Sequence, residues 1–450
     1  MKSLSLLQEN SFSVYSLQFT GGSSQFIVGS SQYTVDSVQP SVLSVRRTAV
    51  RRTAVYRLLL TACCLLFTAH SLFAQSLSQD AKISLITIAP GSSVFEGSGF
   101  GHSSIWIYDP ANGISKNYNY GTFTFQTGNF LLKFVQGTLP YTLSVAPMEY
   151  VIPHYQSERR DMTEQVLNLS QNQKQRLYDF LENNALPQNR EYKYRFFFDN
   201  CSSRIRDALQ VACGDSLVYY NQPIDGEAKS FRQWMNEYLT HKPWEKFLMN
   251  LGIGLPSDAF ATPQEEMYLP YNLMHHFDKA TLGGQPLVRI TQPLVTTNFS
   301  HREQPSQPWW LSPLVFFSVL SVFVVWKTQR QQKRAKISFT FDKVFFPIIG
   351  LAGWILFGLA TATDHGVTEW NLHLLWALPL YFPLAFFLTG KKQSGWMQKF
   401  IMLSLGLLIA YVLVVIVGSL IKGIFIGLPL EAWLLIFCLF YRLIFLRKRV

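Results

Sequence analysis

Residues 198–207 read Phe-Asp-Asn-Cys-Ser-Ser-Arg-Ile-Arg-Asp, a polar turn that carries a cysteine and leads into a predicted helix. The buried stripe of that helix is predicted to contain Ile205, Ala208 and Leu209. A thiol at a helix N-terminus lies among unpaired backbone N–H groups at the positive end of the helix dipole, which lowers a thiol pKa and offers an oxyanion site. Cys201 is therefore the candidate nucleophile, and a buried structural cysteine is the alternative.

A disulfide between Cys201 and Cys213 would remove this thiol. If one helix connects the two residues, 12 residues at about 1.5 Å each separate them by roughly 18 Å, which is beyond bridging distance. The five cysteines of the chain are also too few and too scattered for a disulfide scaffold or a four-cysteine zinc site. We therefore expect a free thiol.

A nucleophilic thiol needs a base, and His102 is the candidate because it follows a Gly/Ser loop at the start of an alternating strand. An imidazole removes the thiol proton and later returns it to a leaving group. A surface or structural histidine is the alternative, and the pairing with Cys201 favours the catalytic interpretation. None of the histidines shows metal-ligand spacing, so we expect no metal and no cofactor.

Asn119 and Tyr120 are candidates for the group that orients His102, and Asn119 is preferred. They alternate along one strand, and a slip of register by one residue would exchange their faces. Candidate substrate-binding residues are Asn200, Arg204, Arg206, Asp364 and His365. The two arginines follow the thiol closely, where guanidinium groups can hold a phosphate; a solvated helix face is the alternative.

Residues 75–309 alternate short strands, turns and amphipathic helices, which predicts an α+β domain with an antiparallel sheet. A turn at 109–113 is a strong hairpin signal. Strands are predicted at 82–89, 103–108, 117–125, 130–135 and 141–147. Helices are predicted at 163–183, from 201 onward, and at 230–239, 244–251 and 264–277.

From residue 306 the chain is predicted to be an all-α transmembrane domain. Five apolar runs approach the length of about 20 residues that spans a bilayer, at about 310–326, 344–363, 371–389, 400–421 and 424–446. Basic clusters follow the first, third and fifth runs, and the positive-inside rule makes that side, with the C-terminus, cytoplasmic. Residues 75–305 and the loop near Asp364 then lie on the opposite side.

The N-terminal 74 residues are predicted to lie outside the folded domains. Residues 1–50 are Ser/Gln/Val-rich without helical periodicity, and 51–74 have the basic, apolar and small-residue regions of a secretory signal; an uncleaved anchor helix is the alternative. The net charge of +11 does not mark a nucleic-acid binder, because 75–309 holds 19 Lys and Arg against 22 Asp and Glu.

Several of these segments together resemble a known enzyme family. Gly101-His102-Ser103, the strand from Tyr118 to Phe123, the segment 197–207, the segment 267–270 and the predicted spans are similar to the Bacteroides-type lipoprotein N-acyltransferases, the Lnb family. The resemblance implies a circularly permuted papain/NlpC-like domain, in which histidine precedes cysteine, as it also does in lecithin–retinol acyltransferase.

The resemblance also implies an activity and a location. Cys201, deprotonated by His102, would take an acyl chain from a membrane phospholipid, and the α-amine of a diacylated lipoprotein would accept it. The protein would lie in a bacterial inner membrane with its catalytic domain in the periplasm. A membrane-tethered cell-wall amidase or cysteine peptidase and a non-enzymatic sensor or scaffold are the alternatives.

Overall fold

A computed structural model describes residues 76–93, 97–123, 128–334, 338–388, 394–423, 426 and 430–449. The predicted extension and signal peptide, residues 1–74, lie outside these ranges. They and the predicted domain borders stay predictions.

The strands of the α+β domain form one large and one small antiparallel sheet. In chain order they are β1 (Lys82–Ile88), β2 (His102–Asp109), β3 (Ile114–Thr122), β4 (Pro140–Pro147), β5 (Met162–Leu167), β6 (Glu191–Lys193), β7 (Leu217–Val218), β8 (Thr281–Leu282), β9 (Gln285–Pro286) and β10 (Val288–Val295). The large sheet has the order β10-β5-β1-β2-β3-β4-β6, and the small one β7-β8-β9. The predicted hairpin is confirmed, with Asp109 of β2 opposite Ile114 of β3.

Within the described residues of this domain, seven α-helices accompany the sheets. They are α1 (Phe130–Gln136), α2 (Met148–Ser157), α3 (Gln171–Ala185), α4 (Cys201–Cys213), α5 (Phe231–Tyr238), α6 (Pro243–Gly252) and α7 (Pro270–Lys279). The predicted helices at 201, 230–239 and 244–251 are confirmed as α4, α5 and α6, whereas 264–277 contains a 3-10 turn before α7.

Apolar side chains of three helices cover one face of the large sheet. Leu177 of α3, Ile205 of α4 and Phe277 of α7 are buried against Leu85 of β1 and Ile105 of β2. This burial fixes α4 on the sheet, because moving a large aliphatic or aromatic side chain out of water contributes about 1.5–3 kcal/mol. The N-terminus of α4 is thereby held beside β2 and β3.

Two expectations for the α+β domain are wrong. The predicted strand at 130–135 is helix α1, since a short apolar run does not separate helix from strand by periodicity. The predicted helix at 163–183 is the strand β5 followed by α3. Ser170 divides them, because its side chain accepts a hydrogen bond from the Gln173 N–H and begins the helix with a capping box.

The C-terminal part of the chain is helical. It contains α8 (Pro313–Gln332), α9 (Asp342–Ala362), α10 (Tyr381–Leu384), α11 (Gly395–Lys422) and α12 (Leu430–Arg449). Among the described residues, α9 and α11 alone have the length and composition to cross a membrane. The five-span count is therefore not confirmed.

The predicted third span, 371–389, departs most from expectation. Its described residues form two 3-10 segments and the four-residue helix α10 in place of one long helix. Pro379 and Pro383 lie in this stretch, and a proline inside a helix removes a backbone donor and clashes with the preceding turn.

Candidate active site

Helix α4 begins at Cys201 because Asn200 caps it. The Asn200 side-chain oxygen accepts hydrogen bonds from the backbone N–H groups of Ser202 and Ser203, and the Ser203 hydroxyl accepts one from the Asn200 N–H. The Asn200 amide also donates to the carbonyls of Phe196 and Tyr268. These bonds fix Cys201 at the first position of the helix and use the N–H groups of Ser202 and Ser203, so the Cys201 N–H is the first-turn donor that they leave for a substrate oxygen.

Strand β2 brings His102 to this thiol. The hydroxyls of Ser103 and Ser202 lie 3.0 Å apart and are buried, which ties the start of β2 to the first turn of α4. Gly101 precedes the histidine with φ +84°, and a Cβ there would lie 2.9 Å from the Ile88 carbonyl oxygen. Only glycine accepts both this backbone conformation and this close approach.

The histidine ring is oriented by a neighbouring strand. The Nε2–H of His102 donates to Asn119 Oδ1 over 2.6 Å. The other ring nitrogen, Nδ1, is then the one available to Cys201, whose thiol interacts with the His102 side chain by a hydrogen bond. Asn119 thus occupies the orienting position that the sequence predicted for it or for Tyr120.

Electrostatics at this pair favour a charged thiolate. Burial alone would raise the Cys201 pKa, but the charge and hydrogen bond of His102 and the backbone N–H of Ser103 lower it below its ordinary value. Burial likewise opposes the charge on His102, yet the facing Cys201 thiolate and the bond to Asn119 raise the His102 pKa. Both shifts favour the thiolate–imidazolium form, which is the reactive state of a cysteine nucleophile.

The sequence analysis missed two residues beside the thiol. Gly121 interrupts β3 at φ +94°, and a Cβ there would lie 3.8 Å from Cys201 Cβ, 3.8 Å from Tyr194 Cε2 and 3.9 Å from His102 Cε1. A glycine inside a strand pattern is a signal for close backbone approach. No comparable pattern marks Tyr194, whose ring stacks on Tyr141 at 4.3 Å.

The Tyr194 ring lies near Cys201, because both side chains approach Gly121. Burial and the negative charge of Cys201 raise its pKa well above the ordinary tyrosine value, so the hydroxyl stays protonated. A protonated phenol at this position can donate a hydrogen bond to an oxyanion that forms on Cys201.

A cavity of about 770 Å³ opens onto the pair. Its wall includes Cys201, His102, Asn119 and Tyr194, and it continues to the side chains of α6 and α9. The residues it takes from these two helices are Met249, Gly252 and Leu359. The cavity wall therefore extends from the thiol to Leu359 of α9, a helix with the length and composition to cross a membrane.

Three predicted residues face away from this cavity. Tyr120 is buried in the core and packs edge-on against Tyr192, because β3 alternates and Asn119 takes the opposite face. Arg204 binds Asp199 through two hydrogen bonds. Arg206 pairs with Asp207 and donates to the Gln264 carbonyl. Both guanidinium groups are thus committed to protein partners.

Of the other three predicted binding residues, two line the cavity and one lies outside its wall. Asn200 lines the cavity, with its amide used in capping α4. Asp364 pairs with Lys193 and Arg195 outside the cavity wall. His365 lines the cavity and donates from Nε2 to the Val135 carbonyl over 2.9 Å.

The sequence analysis also expected an unbridged Cys201 and no metal site. Cys201 and Cys213 are both unbridged, and α4 connects them as one continuous helix. Across the ranges that the structure describes, no group of three or more His, Cys, Asp and Glu side chains is arranged to hold a metal ion.

The fold and site together define a membrane-anchored protein with a periplasmic α+β domain. Residues 72–235 match the Lnb N-terminal periplasmic domain, and residues 305–449 match the Lnb transmembrane domain. The chain belongs to the Lnb family, which is a family of enzymes. No match was found among curated proteins, and none among solved structures.

Proposed function

We propose that this protein is a lipoprotein N-acyltransferase that works through a thioester on Cys201. The observation that carries the proposal is the shared cavity, which joins a Cys201–His102–Asn119 arrangement to Leu359 of a candidate membrane span. A hydrolytic cysteine enzyme needs only the Cys201–His102–Asn119 arrangement. An enzyme that takes its acyl donor from a bilayer also needs a site that reaches the membrane span.

The first half-reaction transfers the acyl chain to the enzyme. The Cys201 thiolate attacks an ester carbonyl of a phospholipid, and the oxyanion is stabilised by the Cys201 backbone N–H and the Tyr194 hydroxyl. The ester C–O bond breaks as the His102 imidazolium gives its proton to the leaving alkoxide. The products are an S-acyl Cys201 and a lysophospholipid.

The second half-reaction transfers the chain to a lipoprotein. The α-amine of a diacylglyceryl-cysteine attacks the thioester carbonyl and loses a proton to the neutral His102. The C–S bond breaks, an amide forms, and the thiolate–imidazolium pair is restored. Asn119 holds the ring in one orientation through both steps.

The order of the elements supports a permuted papain/NlpC-like arrangement. His102 on a sheet strand precedes Cys201 at a helix N-terminus, and an amide from the next strand orients the ring. If all five predicted spans cross the membrane, the predicted cytoplasmic C-terminus leaves the α+β domain in the compartment where lipoproteins are acylated.

A cell-wall amidase or peptidase is the second candidate, since the same thiol and imidazole cleave peptides. The extension of the cavity to Leu359 of α9 favours the acyltransferase, because an enzyme that cleaves a water-soluble peptide or glycan does not need a site that reaches a membrane span.

The deciding experiment is the mass of a lipoprotein N-terminal peptide from cells that lack their own N-acyltransferase. Complementation with wild type should add one acyl chain, and Cys201→Ala should add none at equal expression. Arg190→Gln changes an exposed residue outside the cavity and is the matched control. A peptide without the extra chain in cells that contain membrane-inserted wild type would contradict the proposal.

A further inference from the structure

A buried arginine lies in the wall of the catalytic cavity and takes no part in the steps above. Arg160 follows α2, is 5% exposed and lines the same cavity as Cys201 and His102. Its Nε donates to the Ala89 carbonyl over 2.8 Å, and its Nη1 donates to Glu158 over 3.1 Å. The guanidinium is therefore held in one position.

The third nitrogen of this guanidinium is unsatisfied. Nη2 is buried and has no hydrogen-bond partner within the described parts of the chain. A buried donor without a partner costs about 1–3 kcal/mol, and the cost is larger for a charged group. A positive side chain with an unpaired donor is thus held in the wall of the catalytic cavity.

The surrounding charges leave Arg160 incompletely neutralised. Among the described residues of the cavity wall, it is the only lysine or arginine and Glu158 is the only carboxylate. Glu158 is 40% exposed and also contacts His154 at 3.4 Å, so solvent and a second partner share its charge. The cavity beside Arg160 therefore favours an anion.

We propose that Arg160 binds the phosphate of the acyl donor, which rests on the function proposed above. The phosphate of a glycerophospholipid lies a few bonds from the ester carbonyls that Cys201 attacks. One anchored phosphate therefore places an ester near the sulfur while the acyl chains lie along the apolar wall. A guanidinium suits this task because its planar donors match phosphate oxygens.

The alternative is that Arg160 only holds the loop after β1 through Ala89. Measurements of lipid affinity distinguish the two roles, because loss of a purely structural arginine should weaken the binding of all lipids equally. The probes are a diether phosphatidylethanolamine and the matching dialkylglycerol, neither of which can be cleaved, added to the full-length protein in detergent. Affinities are measured for wild type, Arg160→Gln, Arg160→Lys and the control Arg190→Gln, together with each thermal unfolding midpoint.

Wild type should bind the phosphate-bearing lipid more tightly than the dialkylglycerol. Arg160→Gln should weaken the former by about 10-fold to 100-fold and leave the latter unchanged, since a hydrogen bond to a charged group contributes about 1.5–3 kcal/mol. Arg160→Lys should be intermediate. Equal affinity of wild type for both lipids, or equal losses for both in Arg160→Gln, would overturn the proposal.

Two further arms complete the test. Inorganic phosphate and glycerophosphoethanolamine are added as competitors, and displacement of the lipid by either at equal concentration would assign the site to a free anion. Acylation of Cys201 by a cleavable phospholipid is followed separately by protein mass. Selective lipid binding without acylation would contradict the proposed function and leave the Arg160 site standing.

Discussion

His102 Nε2 lies 2.6 Å from Asn119 Oδ1, and this bond leaves Nδ1 as the ring nitrogen available to Cys201. The bond crosses from the start of β2 to β3, beyond their last paired residues, Ile105 and Tyr118. The angle of the imidazole is therefore set by this side-chain contact between two strands of one sheet.

Loss of this bond should slow acylation. We expect Asn119→Ala to lower the rate of Cys201 acylation by about 10-fold to 100-fold, which corresponds to about 1.5–3 kcal/mol for a hydrogen bond to a charged ring. Asn119→Asp keeps an acceptor and should retain more activity. The measurement is the mass of the acyl-enzyme over time, and equal rates for Asn119→Ala and wild type would contradict an orienting role.

The thiolate should be detectable by its reaction with iodoacetamide. The Cys201 thiol loses its proton as the pH rises through its lowered pKa, so its alkylation should persist at a pH where an ordinary thiol is protonated. The imidazolium is lost as the pH rises through the raised pKa of His102. The two opposite shifts bring the titrations together, which favours the charged pair.

His102→Ala removes the partner charge and should move the alkylation midpoint of Cys201 to higher pH. Cys213 is an internal control, because burial raises its pKa to about 11 and should keep it unreactive. Peptide mapping assigns the label to each cysteine. An unchanged midpoint in His102→Ala would show that the histidine does not activate the thiol.

The oxyanion donor should affect the rate more than binding. We expect Tyr194→Phe to keep the stack on Tyr141 and to lower the acylation rate about 10-fold or more. Removal of one donor from an oxyanion hole raises the activation free energy by up to about 4 kcal/mol. Affinity for a diether phospholipid should not change. A parallel loss of affinity would assign Tyr194 to substrate binding.

The apolar wall should set which acyl chains are accepted. A Cβ at Gly252 would meet only Leu359 Cδ1, at 3.9 Å, so Gly252→Leu fits and takes volume from the cavity. We expect slower acylation by long-chain donors with short-chain p-nitrophenyl esters unaffected. Gly358→Leu is the control, since a Cβ there meets nothing within 4 Å and the residue lies outside the cavity wall. Equal effects on both donors would argue against an acyl channel.

The cap of α4 should contribute to stability beyond an ordinary helix cap. Asn200→Ala removes about 1 kcal/mol of capping energy and also leaves the partly buried Phe196 carbonyl and the buried Tyr268 carbonyl without this donor. Ser170→Ala removes the same kind of cap from α3 at an exposed site. We therefore expect the thermal unfolding midpoint to fall further in Asn200→Ala, and equal shifts would show that the two extra bonds contribute nothing.

The sequence by itself determined the local features of this protein. The polar turn before Cys201 predicted a helix start, and the hairpin signal at 109–113 predicted the pairing of β2 with β3. These features depend on residues close together in the chain, where capping and turn propensities act directly. The family resemblance depended on the same segments and is confirmed.

Only the tertiary structure decided which side chains share the cavity. The register of β3 placed Asn119 beside His102 and buried Tyr120, and the ion pairs of Arg204 and Arg206 removed them from the site. Tyr194 and Arg160 reached it from distant segments that carry no local motif. Local propensities do not encode such contacts, because they form when burial of the apolar faces brings separate elements together.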